Sequence, residues 1–193
     1  MKIEWLILLV VIILISPYYV LSFSDINITP SDLAVVSYGF SYNKDLDDRI
    51  GASCTNSDGV RTYMKYDLSE LNLNVEKATL WFYKEKKNNP FVMKLGFYYV
   101  EDNEWNSAIT WSTQPCESVW ESNSNCSLEP FYTYKPGSAL YIWEIIDVTN
   151  LVRNDDVVSF LLKVVGKDTG CKVDQWIYYN SNTFLNIEGC IPY

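Results

Sequence analysis

The sequence predicts an all-β body, a β-sandwich or barrel of antiparallel strands, behind one N-terminal hydrophobic helix. Three observations carry that expectation. Short apolar runs recur after residue 23, several of them alternating apolar with polar, and turn residues separate them. Aromatic residues make up 16% of the chain, with 15 Tyr and 7 Trp, and large rings suit the pleated surface of a sheet. After residue 23 no stretch holds a helical period over a useful length.

The elements follow in order. Lys2 precedes an unbroken apolar run from Trp5 to Ile15. That is short of the roughly 20 residues that cross a bilayer, and it fits the apolar stretch of a secretory leader. Val20 and Ser22 stand at the small-residue positions before a cleavage site. Continuing the helix through Pro17 to Phe23 would make an uncleaved anchor instead, since membrane helices tolerate proline. A buried cytosolic core helix is the plainest alternative. Positive charge at this end comes only from the amino group and Lys2, while Asp25 and Asp32 follow, so the N-terminus stays inside and the rest goes outside. The expected organisation is a signal peptide or membrane anchor over 1–22, a lead-in over 23–42 and a β-sandwich domain over 43–193. The body is extracytoplasmic, secreted or anchored by that helix.

The lead-in holds one strand-like run, Leu33 to Tyr38. Asn56-Ser57-Asp58-Gly59 is a turn. Val60 to Leu68 then alternates, with Thr62, Met64, Tyr66 and Leu68 on one face. In Ala78 to Lys84, Leu80 and Phe82 oppose Thr79, Trp81 and Tyr83. The run Lys84 to Pro90 is expected to be a charged hairpin tip in solvent. Phe91 to Val100, Ala139 to Val148, Val157 to Val165, Val173 to Tyr179 and Phe184 to Ile187 supply further strands, and Thr149 to Asn154 one helical turn.

A net charge of −9 and a pI near 4.5 argue against nucleic acid, and equally against anionic lipid headgroups, leaving the N-terminal segment as the only membrane contact. The chain has no His. That removes Ser–His–Asp and Cys–His catalysis and imidazole zinc sites together. Five cysteines, all beyond the hydrophobic segment, read as disulfides plus one left over in an exported chain. Cys171 and Cys190 are equidistant from Asn180-Ser181, so a hairpin turning there would pair them. Cys116 and Cys126 bracket a polar loop, Glu117 to Asn125, that a Cys116–Cys126 bridge would staple. Cys54 is then a buried thiol or an intermolecular link. Two N-x-[ST] sequons mark Asn27 and Asn125 as candidate glycosylation sites.

Three segments carry a resemblance. Arg61-Thr62-Tyr63-Met64-Lys65-Tyr66-Asp67-Leu68-Ser69 is followed by Ala78-Thr79-Leu80. Val100-Glu101-Asp102-Asn103-Glu104-Trp105 is followed by Ile109-Thr110-Trp111 and Gln114-Pro115. The third is Trp143-Glu144-Ile145-Ile146-Asp147-Val148-Thr149-Asn150-Leu151-Val152. In this order, across residues 43–188, they resemble the DNRLRE family of secreted β-sandwich modules, which includes alginate-type carbohydrate-binding modules. The resemblance implies a jelly-roll-like antiparallel sandwich with no chemistry of its own. Where that family carries S-R-E before its last strand, this chain reads Trp176-Ile177-Tyr178-Tyr179-Asn180. Among the matched residues, Trp105 and Trp111 are expected to pack a corner, and Asp67 and Asp147 to accept backbone N–H bonds in the following turns.

The acidic pairs Asp47-Asp48, Glu101-Asp102 and Asp155-Asp156 read as solvated turn acids, because neighbouring acids on a strand point to opposite faces. Asp45, Asp47 and Asp48 lie close enough in sequence to hold a calcium ion through oxygens; otherwise no cofactor is expected. Recognition falls to aromatic residues, with Tyr98, Tyr99, Tyr132, Tyr134, Tyr178 and Tyr179 as candidate contacts. Neighbouring tyrosines show one ring to each face, so half of them belong in the core. The expected function is a non-catalytic surface module that binds glycan or a neighbouring surface protein. The alternative is a structural subunit of a sheath or filament, with Phe23 to Asp32 adding as a strand to a neighbour; a carbohydrate-active hydrolase is third.

Overall fold

The structure, a computed structural model, describes residues 23–37, 49–54, 60–88, 94–116, 126–127, 129–135, 139–153, 155–165, 175–180 and 182–191, with the side chains of residues 23, 49–54, 86–88, 175–178 and 180 left aside. The described strands are β1 (Phe23–Ile28), β2 (Asp32–Ser37), β3 (Arg49–Cys54), β4 (Val60–Asp67), β5 (Asn74–Asn88), β6 (Leu95–Val100), β7 (Tyr132–Tyr134), β8 (Ile142–Asp147), β9 (Val157–Val164), β10 (Gln175–Asn180) and β11 (Phe184–Cys190). One helical turn, α1 (Thr149–Val152), stands between β8 and β9. The described body is all-β and antiparallel.

The strands form two layers joined into one hydrogen-bonded network. In the first layer β1, β11, β5 and β8 lie side by side, and β10 pairs with the far half of β5. In the second, β2, β4, β9, β6 and β7 lie side by side. β3 links the layers, pairing along β10 and touching β4 at Ser53 and Val60. Period-two alternation gives each layer one apolar face, and the two faces pack together. Met64, Tyr66, Phe97, Phe160 and Leu162 from the second layer meet Leu80, Phe82, Ile146, Leu185 and Ile187 from the first, all buried. Phe82 spans the gap, with its ring 5.0 Å from Phe97 and 5.6 Å from Tyr179.

The layers differ in their outer faces, and that difference positions everything functional. Behind the second layer, Ala34, Val36, Tyr63, Tyr98, Val100 and Leu161 form another buried cluster under Trp105, Ile109 and Cys116, which belong to the segment after β6. The matching face of the first layer carries no such cover among the described residues. Arg61 lies under the cover, its guanidinium 4.5 Å from the Trp111 ring and donating to the Cys116 carbonyl at 2.7 Å. Trp105 and Trp111 thus pack where the motif places them.

The turn acids also do what the motif implies. Asp67 accepts from the Ser69 backbone N–H at 3.0 Å and its hydroxyl at 2.6 Å. Asp147 treats Thr149 the same way, at 2.9 and 2.6 Å. These bonds hold both carboxyls below the usual aspartate range.

Three local expectations change. Lys84 is no solvated hairpin residue: β5 runs on to Asn88, and the Lys84 side chain is buried against Glu144, with Nζ 2.7 Å from the carboxylate. The charge run hid a strand because five polar residues in a row carry no apolar alternation. β10 and β11 do not form a hairpin at Asn180. They lie end to end along β5, β10 opposite Lys84 to Asn88 and β11 opposite Asn74 to Trp81. Cys190 therefore sits by Asn74 as a free thiol, donating to Glu76 at 3.1 Å, while Cys171 lies outside the described residues. Finally, residues 23–28 pair with β11 of their own sheet, so this segment is not available as a strand for a neighbour. β3 and β7 escaped notice because Arg49–Cys54 is rich in small residues and Tyr132–Tyr134 is too short for a pattern.

Burial of phenols has a measurable consequence. It pushes the Tyr63 and Tyr98 hydroxyls up to about 12. Their neutral form is favoured by folding, so that stabilisation is whole below the unfolded value of about 10 and declines as pH rises toward about 12. Phenolate absorbance and circular dichroism followed together should show late-titrating tyrosines and a loss of stability starting near pH 10. Full phenolate formation near pH 10 with the fold intact would contradict it.

Candidate functional site

The open outer face of the first layer is where the structure gathers aromatic side chains. On β5, Thr79, Trp81 and Tyr83 alternate with the core residues Leu80 and Phe82, so all three point outward. Register does the rest. Trp81 stands opposite Ile145 of β8 and Phe184 of β11, and Tyr83 stands opposite Trp143. Rings from three adjacent strands therefore meet. Trp81 and Phe184 are stacked at 5.5 Å, Trp143 lies edge-on to Trp81 at 5.9 Å and to Phe184 at 5.4 Å, and Tyr83 is 5.2 Å from Trp143.

The platform is held from beneath. The Trp81 indole N–H donates to Thr79 Oγ1 at 2.9 Å, and Thr183 Oγ1 donates to the Trp81 carbonyl at 2.6 Å. Trp143 keeps 42% of its surface exposed and Ile145 49%, although both are large and apolar. Just before them Tyr141, 70% exposed, adopts a left-handed backbone with φ 58°, its N–H donating to the Lys84 carbonyl at 2.7 Å. Clustered exposed apolar side chains mark contact surfaces more often than scattered ones do.

The same face turns polar toward its other end. Asn186 Nδ2 donates to Asp25 at 2.5 Å and to Asn27 Oδ1 at 2.9 Å. Lys77 Nζ lies 2.5 Å from Glu188, and this contact raises the lysine pKa. Beside it opens a cleft of about 630 Å³ whose walls include Lys77, Phe131, Asp147 and Thr149. A flat run of rings with hydrogen-bonding groups at one side suits an amphipathic ligand, one with apolar faces and polar edges.

The tyrosines expected from sequence do not assemble into one surface. Tyr98 is buried beneath the cover of the second layer, with the Lys163 ammonium 4.7 Å from its ring. Tyr179 is in the core, and its hydroxyl donates to Glu144 at 3.1 Å. Neither offers a ring to a ligand. Tyr99 is half-buried and donates to Asp155 at 2.9 Å. Tyr132 and Tyr134 pack beside Phe97 on the edge strand β7, with Tyr132 the more exposed. Tyr178 lies in β10, its side chain outside the description. In the pair Tyr98–Tyr99 parity turns Tyr99 toward the core between the layers, while Tyr98 is buried on the other face by the cover.

Asp45, Asp47, Asp48 and Asn125 lie outside the described residues. Asn27 is exposed on the open face. Cys116 and Cys126 form a disulfide, with Cα atoms 5.7 Å apart. No group of three His, Cys, Asp or Glu among the described residues is placed to hold a metal. No helix among them is long and apolar enough to cross a membrane.

Sequence reasoning passed over Trp81, Tyr83, Trp143 and Phe184. The signal was present: Trp81 and Tyr83 alternate with buried Leu80 and Phe82, and large rings on the solvent side of an amphipathic strand ask for a partner.

The model of carbohydrate-binding module family 96 matches residues 47–182, a stretch that contains Trp81, Tyr83 and Trp143 and ends just before Phe184. No curated protein matches the chain. With most of its length matched, from β3 through β10, the chain belongs to carbohydrate-binding module family 96.

Proposed function

We propose that this chain is a non-catalytic, extracytoplasmic module that holds a glycan against the aromatic platform of its first layer. One observation carries the reading: Trp81, Tyr83, Trp143 and Phe184 converge from three strands on a face with no cover among the described residues. A pyranose ring has C–H faces that rest on such rings and hydroxyl edges that reach polar neighbours. Family membership supports the ligand class. The leader supports export, and an intact mass starting at Phe23 would establish a free secreted form, whereas an intact Met1 would mean a tethered one. The module works without a cofactor; chelator-sensitive binding would bring calcium at Asp45, Asp47 and Asp48 back into play.

Trp143→Ala is the direct test, because the side chain is exposed and its loss leaves the core alone. Removing a central aromatic contact is expected to cost about 2 kcal/mol of binding, roughly a thirtyfold weaker Kd. Calorimetry on the best hit of a glycan array measures it. Unchanged affinity moves the site elsewhere, and a blank array sinks the reading. A second reading, a subunit of a sheath or filament, is favoured by the exposed Tyr141, Ile142 and Ile145 beside Trp143 on or next to edge strand β8. Monomers in sedimentation at high concentration would remove it.

A further inference from the structure

We infer that the glycan runs on from the platform into the cleft beside Lys77, where Asp147 and Asn150 hold one of its later sugars, so that the module grips an extended stretch of chain; this rests on the platform reading above. Strand register lays out the path. On β5 the outward positions run Tyr83, Trp81, Thr79 and Lys77, and on β8 Trp143, Ile145 and Asp147 stand opposite the first three. The Trp81 indole donates to Thr79 Oγ1 at 2.9 Å, so the ring leans toward the Lys77 end, and Thr79 is buried. Lys77 stands about 13 Å along the strand from Trp81, farther than one sugar ring extends. A ligand that touches both is therefore an oligomer.

The cleft at the end of this row offers what a sugar needs. Its volume is about 630 Å³, and Phe131 and Leu151 give it an apolar wall. Both Thr149 bonds to Asp147 end on Oδ1, which leaves Oδ2 to accept from a sugar hydroxyl, a charge-assisted bond. Asn150, exposed on the same wall, makes no described side-chain bond, so its amide can donate to one hydroxyl and accept from another. Cations stand here among the acids: Lys77 is 2.5 Å from Glu188, and exposed Arg153 donates to the Glu76 carbonyl at 3.0 Å. Platform and cleft act on one chain. A second contact on a ligand already held is intramolecular, so affinity grows with length until the cleft is filled.

The test titrates the full chain, by calorimetry, with cello-, manno- and mannuronate oligomers from disaccharide to octasaccharide. Expected in at least one series is an affinity that rises about tenfold once the oligomer spans both subsites, and then levels off. Asn150→Ala, at an exposed position, should weaken the long members about fivefold and the short ones far less, which removes the step. Trp143→Ala should weaken every length. An affinity already level at the disaccharide, or an Asn150→Ala variant that acts equally at all lengths or at none, overturns the inference while the platform stands. Trp143→Ala without effect at any length moves the ligand off the platform, and the path falls with it. No binding in any series overturns the glycan reading and this inference together.

Discussion

Replacing Lys84 by Ala is expected to lower the folding free energy by about 3–5 kcal/mol. Lys84 Nζ lies 2.7 Å from Glu144 Oε1, with the lysine side chain 1% exposed and the glutamate 17%. Tyr179, wholly buried, donates to the other carboxylate oxygen at 3.1 Å. The three residues sit on β8, β5 and β10, so the network ties three strands at one end of the first layer. Removing the ammonium leaves a largely buried carboxylate with a phenol as its described partner, and an uncompensated charge costs far more than the pair contributes. Replacing both ends with apolar residues, Lys84→Met with Glu144→Leu, should come out near neutral. Urea unfolding of the single and double variants separates the cases. A loss below about 1 kcal/mol for the single variant would mean that water reaches the carboxylate.

Removing the Cys116–Cys126 bridge by paired Ser substitutions is expected to cost about 2–4 kcal/mol. The bridge closes ten positions of chain and anchors the cover of the second layer. Cys126 bridges to Val100, and Ser127 N–H donates to the Tyr99 carbonyl at 3.0 Å, so the far end of the loop is pinned to β6. The near end matters for charge, since the Cys116 carbonyl accepts from buried Arg61 and Gln114 Oε1 accepts from both Arg61 and Tyr63. Loosening the cover would therefore wet Tyr63 and Tyr98 and strip Arg61 of its acceptors. Thermal unfolding with and without reductant gives the magnitude. A change below about 0.5 kcal/mol would show that packing alone keeps the cover closed.

Much of the architecture was legible because strand parity is a local property. Thr62, Met64 and Tyr66 lie on one face of β4 wherever that strand is placed, and all three are buried. Asp67 and Asp147 make their turn bonds within two residues, so the motif alone foretold them. Lys84 misled for the complementary reason. A lysine beside further charges looks solvated until β8 delivers a carboxylate to it, and Glu144 lies 60 positions away. The hairpin between Cys171 and Cys190 failed likewise, since both flanking strands found a better partner in the long β5.

By itself the chain determined its class: antiparallel strands from alternation, no histidine chemistry from composition, and an acidic net charge that argues against nucleic acid. Which aromatics face a ligand was decided only in three dimensions. Tyr98 and Trp81 each stand on an outer face by parity, yet one is buried under the segment after β6 and the other is half-buried among neighbouring rings. Alternation tells a side chain which side of its sheet it occupies; whether a distant segment covers that side depends on contacts no local period encodes.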